Sequence, residues 1–150
     1  MFPAMVGGDL DLHLKRNAAG NVLLLVVFAN HSVAADEIVK RLQGMTSFIL
    51  TYPVEVRHAR LNQLDDFIDQ SLGGVFLSEP LADADRALLR QFGMRKSILI
   101  FSPFARDVQE GITAGLFIAT QVKPALNRLA LQESGLRMNP LFLKAAKIYP

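Results

Sequence analysis

Residues 97–115 read SILIFSPFARDVQEGITAG, and the fold turns on how this stretch is parsed. Ser97 to Phe101 is a short apolar run bounded by a turn. Continuous rather than alternating hydrophobicity is what a strand buried on both faces requires, so these residues predict a central strand. Ser102-Pro103 then breaks it, because proline donates nothing to a ladder and pushes its predecessor out of helical geometry. Phe104 to Glu110 therefore form a loop or a single turn, and Gly111 restarts an apolar segment.

Upstream, Val22 to Ala29 is the strongest strand signal in the chain, apolar throughout, and is expected to pair beside Ile98–Phe101. A helix should follow, with Ser32 as its N-cap, Ala35, Ile38, Val39 and Leu42 on its buried face, and Gly44 at its end. Pro53 to Ala59 alternates as an edge or half-exposed strand, and Leu61 to Gln70 returns to helical spacing. Gly73 to Leu77 is a short buried strand. Leu81, Ala84, Leu88 and Phe92 then mark one face of a helix closed by Gly93. Alternating strands and helices of this kind build a parallel sheet with crossover helices.

Downstream, Gly115–Ala119 and Val122–Leu126 are two apolar runs joined by Thr120 and Gln121, short enough for an antiparallel hairpin. Arg128 to Ser134 is a short helix stopped by Gly135. Asn139-Pro140 opens a final helix whose Phe142, Ala145, Ala146 and Tyr149 share a face. The expected architecture is a single three-layer α/β domain over residues 1–150, its central sheet mainly parallel and mixed at one edge by the C-terminal hairpin.

A chain of 150 residues, 51% hydrophobic, can bury a sizeable core. Its longest apolar runs, Val22–Ala29 and Leu116–Ala119, fall well short of the roughly 20 residues of a membrane span. With no cysteine there are no disulfides, thiolate metal sites or cysteine nucleophiles. The start, MFPAMVGGDLDL, lacks a basic region followed by an apolar core, so a cytosolic protein or one given without its leader is expected. Residues 121–150 hold Lys123, Arg128, Arg137, Lys144 and Lys147 against Glu133, net +4 in a chain of net +2. Nucleic-acid readers carry denser Lys and Arg with interleaved aromatics, so these residues read as helix-terminal charge or as a modest patch for an acidic partner.

The last third carries a resemblance. The order of apolar strand, loop, Gly111-Ile112, hairpin, Leu126-Asn127, helix, Ser134-Gly135-Leu136 and then Leu141-Phe142-Leu143-Lys144-Ala145-Ala146 is similar to that of the YfiR-like family of bacterial periplasmic proteins. The upstream strand-helix order agrees with it across Val22–Tyr149. The chain departs from the family in placing Lys123-Pro124-Ala125 where many members carry an arginine and a phenylalanine. The resemblance implies a periplasmic, non-enzymatic regulator that restrains a membrane-bound signalling partner such as a diguanylate cyclase, without itself spanning the membrane, and it leaves room for a homodimer. Gly111, Asn127 and Gly135 match family positions, and each also has a structural reading: backbone freedom, satisfying a turn, ending a helix.

Tested directly for chemistry, the chain offers no catalytic set and implies no cofactor. His13, His31 and His58 lie on different elements without ligand-like spacing, and Asp9 and Asp11 lack the third carboxylate and closing glutamate of a calcium loop. There is no Gly-x-Ser-x-Gly elbow and no glycine-rich phosphate loop. A phospho-receiver would need an acidic cluster where Asn30-His31 stand and a phosphorylatable aspartate where Ser78-Glu79 stand. Two candidate sites remain. One is a small-molecule site at the carboxyl ends of the strands, where open α/β sheets bind ligands, made of His31, Ser32, Ser78, Glu79 and Ser102 beside Asn30. The other is a partner surface of Phe104, Arg106, Asp107 and Val108, in a loop too short to bury its apolar residues, with Lys123 of the basic C-terminal third.

Overall fold

The computed structural model describes residues 1–150 and shows one α/β domain around an eight-stranded sheet. Its strands are β1 (Val22–Phe28), β2 (Phe48–Ile49), β3 (Tyr52–Arg60), β4 (Gly74–Leu77), β5 (Leu99–Ser102), β6 (Ala114–Ile118), β7 (Val122–Asn127) and β8 (Lys147–Tyr149). Across the sheet they run β2-β3-β1-β4-β5-β6-β7-β8. Strands β3, β1, β4, β5 and β6 are mutually parallel, and the antiparallel pairs are β2–β3 and β6–β7.

Every residue of β1 is buried, and its side chains alternate between two cores. Val22, Leu24, Val26 and Phe28 face a core shared with helices α1 (Phe2–Gly7) and α2 (Ser32–Met45) and the C-terminal segment. Leu23, Leu25 and Val27 face the other, covered by a 3-10 helix (Leu61–Phe67) and helix α3 (Asp83–Lys96). A strand sandwiched in this way has no solvent face to be polar on, which is why its sequence is an unbroken apolar run.

The structure changes several expectations. β1 does not touch β5: β4 lies between them, because the connection out of β3 crosses β1 before the chain re-enters the sheet. Helix α3 buries Leu89 and Phe92 while Leu88 is 56% exposed, so its inward face is turned by one residue from the Ala84–Leu88 stripe. Gly93 does not end it. The helix runs on to Lys96 and stops at Ser97, whose φ of 53° is left-handed, while Gly93 lets helix and strand meet, since a Cβ there would sit 2.5 Å from Ile100 Cδ1. Helix α2 likewise passes Gly44 to Met45, and Ser32 is its first residue rather than its cap.

The alternating residues 9–14, whose period suits a half-buried strand or equally a ragged turn of helix, take the second form, with a 3-10 turn at Leu12–Leu14. Buried Asp9 accepts Asp11 N–H at 2.9 Å and the Lys15 ammonium at 2.5 Å, a local polar knot that competes with extension. Residues 61–67 are helical but of 3-10 type. At the other end, helix α6 (Pro140–Ala145) stops before Tyr149, because Lys147–Tyr149 adds as a parallel strand to the open edge of β7. The hairpin is thus one strand in from the edge, and the second antiparallel pair, β2–β3, lies at the opposite edge.

Candidate functional site

The connection leaving β1 through α2 turns back to β3, whereas that leaving β4 through α3 goes on to β5, so the connections diverge between β1 and β4. At such a switch point open α/β sheets form their ligand crevice. Here a carboxylate of the chain fills it. Glu79, 5% exposed, accepts backbone N–H bonds from Ala29 at 2.7 Å, Asn30 at 2.7 Å and His31 at 2.9 Å. Burial raises its pKa, but the three donors together outweigh that and hold the carboxyl below its ordinary 4.5. The neighbouring Ser78 hydroxyl donates to Val27 O at 2.9 Å. The His31 ring is 72% exposed, with Nε2 3.9 Å from Glu79, and Ser32 is half-buried.

Ser102 belongs to a second knot. Its hydroxyl donates to Asp107 Oδ2 at 2.6 Å and accepts Phe104 N–H at 3.1 Å. Arg86 Nε donates to the other Asp107 oxygen at 3.0 Å, and its Nη1 reaches Asp83 at 2.8 Å. Burial lowers the guanidinium's pKa, yet these carboxylates more than compensate and raise it above its ordinary value. Of the five residues expected to form one ligand site, His31, Ser78 and Glu79 meet between β1 and β4 and Ser102 lies in the second knot, while Ser32 joins neither; Ser78, Glu79 and Ser102 are already hydrogen-bonded within the chain.

The expected partner surface also divides. Residues 105–109 form a short helix, α4 (Ala105–Gln109), which buries Asp107 at 3% and Val108 at 1% exposure. Neither can meet a partner: Asp107 holds Arg86, and the Val108 carbonyl accepts from Asn127 Nδ2 at 2.7 Å. Phe104 is half-buried against the α3-side core. Arg106 and Lys123 are exposed. Asn127 also accepts Ala130 N–H at 2.9 Å, capping helix α5 (Arg128–Glu133), while Gly111 and Gly135 adopt φ of 105° and 66°.

What the sequence did not mark is a cavity of about 280 Å³ on the α2 side, at the carboxyl ends of β4 and β5. Phe76 and Phe101, cross-strand partners, form its floor with ring centroids 5.4 Å apart. Phe2 of α1 packs within 5.6 Å of both. Ile38 and Leu116 line the walls, and Arg41 of α2 is the one charged side chain in the lining. Each aromatic alone reads as core. The available signal was their placement, one residue before the end of adjacent parallel strands.

A separate groove of about 400 Å³ is lined by Leu131, Leu136, Met138, Leu143 and Ile148, with Arg128 and Arg137 among its residues. No three His, Asp or Glu side chains are grouped to hold a metal ion, and no helix is long and apolar enough to cross a membrane.

No family model and no curated protein matches the chain. Among solved structures it is similar to the ABC domain of Streptococcus pneumoniae in complex with L-Trp, at 11% identity and a TM-score of 0.57, over 98% of this chain and 62% of that one. It is also similar to a ligand-free, open substrate binding protein with adhesive properties from Clostridium difficile, at 11% identity and TM-score 0.62, over 93% and 58%. A third is a conserved domain protein from Vibrio cholerae, at 13% identity and TM-score 0.54, over 98% and 60%. The chain spans about three-fifths of the length of these proteins. At such identities the likeness establishes the α/β fold.

Proposed function

We propose that this chain is a non-catalytic ligand-binding domain that senses a small molecule in the cavity over Phe76 and Phe101. The cavity itself carries the reading: it is concave, mostly apolar, lies at the carboxyl ends of parallel strands, and contains one charged side chain, Arg41, to orient a ligand. Two of the similar structures are a complex with L-Trp and a substrate binding protein, roles of the same kind. No nucleophile, base and orienting group converge at the cavity, which suits binding rather than turnover. Melting the protein against a metabolite library tests this: a ligand of the cavity should raise the midpoint, and Leu116→Trp, which fills the space, should remove the rise. A library without effect would favour a pure interaction module.

The C-terminal third supports a second reading, that of a YfiR-like periplasmic regulator restraining a membrane-bound signalling partner. Ile118 and Val122, at the turn of the β6–β7 hairpin, are 72% and 55% exposed, and the apolar groove beside Arg128 lies in the segment of net +4. Exposed apolar residues framed by positive charge suit an acidic, amphipathic partner segment. Fractionating cells that express the gene from its own promoter tests the compartment, and recovery from the cytosol alone would end this reading.

A further inference from the structure

We propose that the ligand of the cavity over Phe76 and Phe101 is an apolar monocarboxylate, one carboxylate on a hydrocarbon body, held through Arg41; this rests on the ligand-binding reading above. Around the cavity, Phe2, Ile38, Phe76, Phe101 and Leu116 present only hydrocarbon, and the lining contains no carboxylate. A cation or a sugar placed there would give up hydration with no side-chain acceptor to replace it. Arg41 stands apart from most of the chain's arginines. Arg57, Arg86, Arg90, Arg106 and Arg137 are held in ion pairs. Arg16 and Arg60 lie over aromatic rings. Arg41 has neither kind of partner, so its planar fork is free to take a carboxylate through two parallel bonds.

A second anionic group on the ligand would find no second cationic side chain in the lining. The volume of about 280 Å³ lies just below the usual range for small-molecule sites, which selects a compact body. The geometry therefore places an apolar body on the Phe76 and Phe101 rings and the acid at the mouth beside α2.

Calorimetric titration of the full chain with octanoate, and with octanol as its neutral counterpart, tests the proposal. Octanoate should bind more tightly, and Arg41→Gln should weaken octanoate roughly tenfold or more while leaving octanol unchanged. Leu116→Trp should abolish both, with circular dichroism melts verifying that each variant is folded. Equal binding of the two probes, insensitive to Arg41→Gln but lost in Leu116→Trp, would overturn the monocarboxylate and leave the ligand-binding reading standing. Binding of octanoate that survives Leu116→Trp would overturn both. No binding of either probe to a protein that a library compound still stabilises would overturn the ligand class alone.

Discussion

Between β1 and β4 the carboxyl-end crevice holds the Glu79 carboxylate of the chain itself, whereas at the ends of β4 and β5 the α2 side of the sheet holds a cavity over Phe76 and Phe101. The first place is polar in sequence and complete in structure; the second is apolar in sequence and open. Polar residues in the loops of a compact domain are in demand from nearby backbone groups, which must be paired when buried. Glu79 meets three N–H groups and Asp107 meets a hydroxyl and a guanidinium, so their polarity says little about ligands. Aromatic side chains carry no such obligation, and where three of them meet near a strand end their bulk can leave room beside them.

This contrast breaks most visibly at Asp107. If its knot is structural, Asp107→Ala strands Arg86, whose side chain is 13% exposed, without its main buried partner, and should cost about 3 to 5 kcal/mol in denaturant unfolding. A cost within about 0.5 kcal/mol would mean the knot is dispensable, returning Ser102 to the ligand candidates and Asp107 to the partner surface.

Glu79 comes next. Removing its carboxylate in Glu79→Ala leaves three loop N–H groups without their acceptor, and about 3 kcal/mol should be lost unless water enters. Acid gives an independent measure. The folded pKa of Glu79 lies below 4.5, so its ionised form favours the native state: the contribution is complete above pH 4.5 and disappears as pH falls through the lower folded value. Stability curves of the wild type and Glu79→Gln should therefore converge in that acid window. Parallel curves there would show that the amides do not hold the charge.

Unbroken apolar runs at Val22–Phe28 and Leu99–Phe101 marked the buried strands because burial on both faces leaves no other pattern, and the hairpin declared itself by two runs two residues apart. Strand order did not show, since nothing local in β1 or β5 encodes that β4 comes between them. Nor did β8, whose three residues continue a helical period and become a strand only because β7 offers an open edge. The Glu79 and Asp107 knots join residues 48 to 50 and 21 positions apart. The cavity needs Phe2, Phe76 and Phe101 together, a coincidence of three distant elements.

Phe104 should show a smaller effect. It rests half-buried against the α3-side core, so Phe104→Ala should cost about 2 kcal/mol, less than for a fully enclosed phenylalanine. A change near zero would mean the ring belongs to the surface and is available for contact.

The smallest expected effect falls on Arg106 and Lys123. Arg106 is 84% exposed in its side chain, and its pair with Glu110, 3.1 Å away and one helical turn on, is of the kind worth a few tenths of a kcal/mol. Lys123, in the β6–β7 hairpin, is also exposed. The double variant Arg106→Ala, Lys123→Ala should therefore unfold within about 0.5 kcal/mol of the wild type. Because stability is silent here, any loss of capture of a membrane-bound signalling partner is a direct readout of contact. Capture that falls in this variant while ligand binding to the cavity persists would place the partner on the surface of α4 and the β6–β7 hairpin and separate the two readings. Capture that survives it, but fails in variants of the groove beside Arg128, would keep the regulator and move its contact to Leu131 and Leu143.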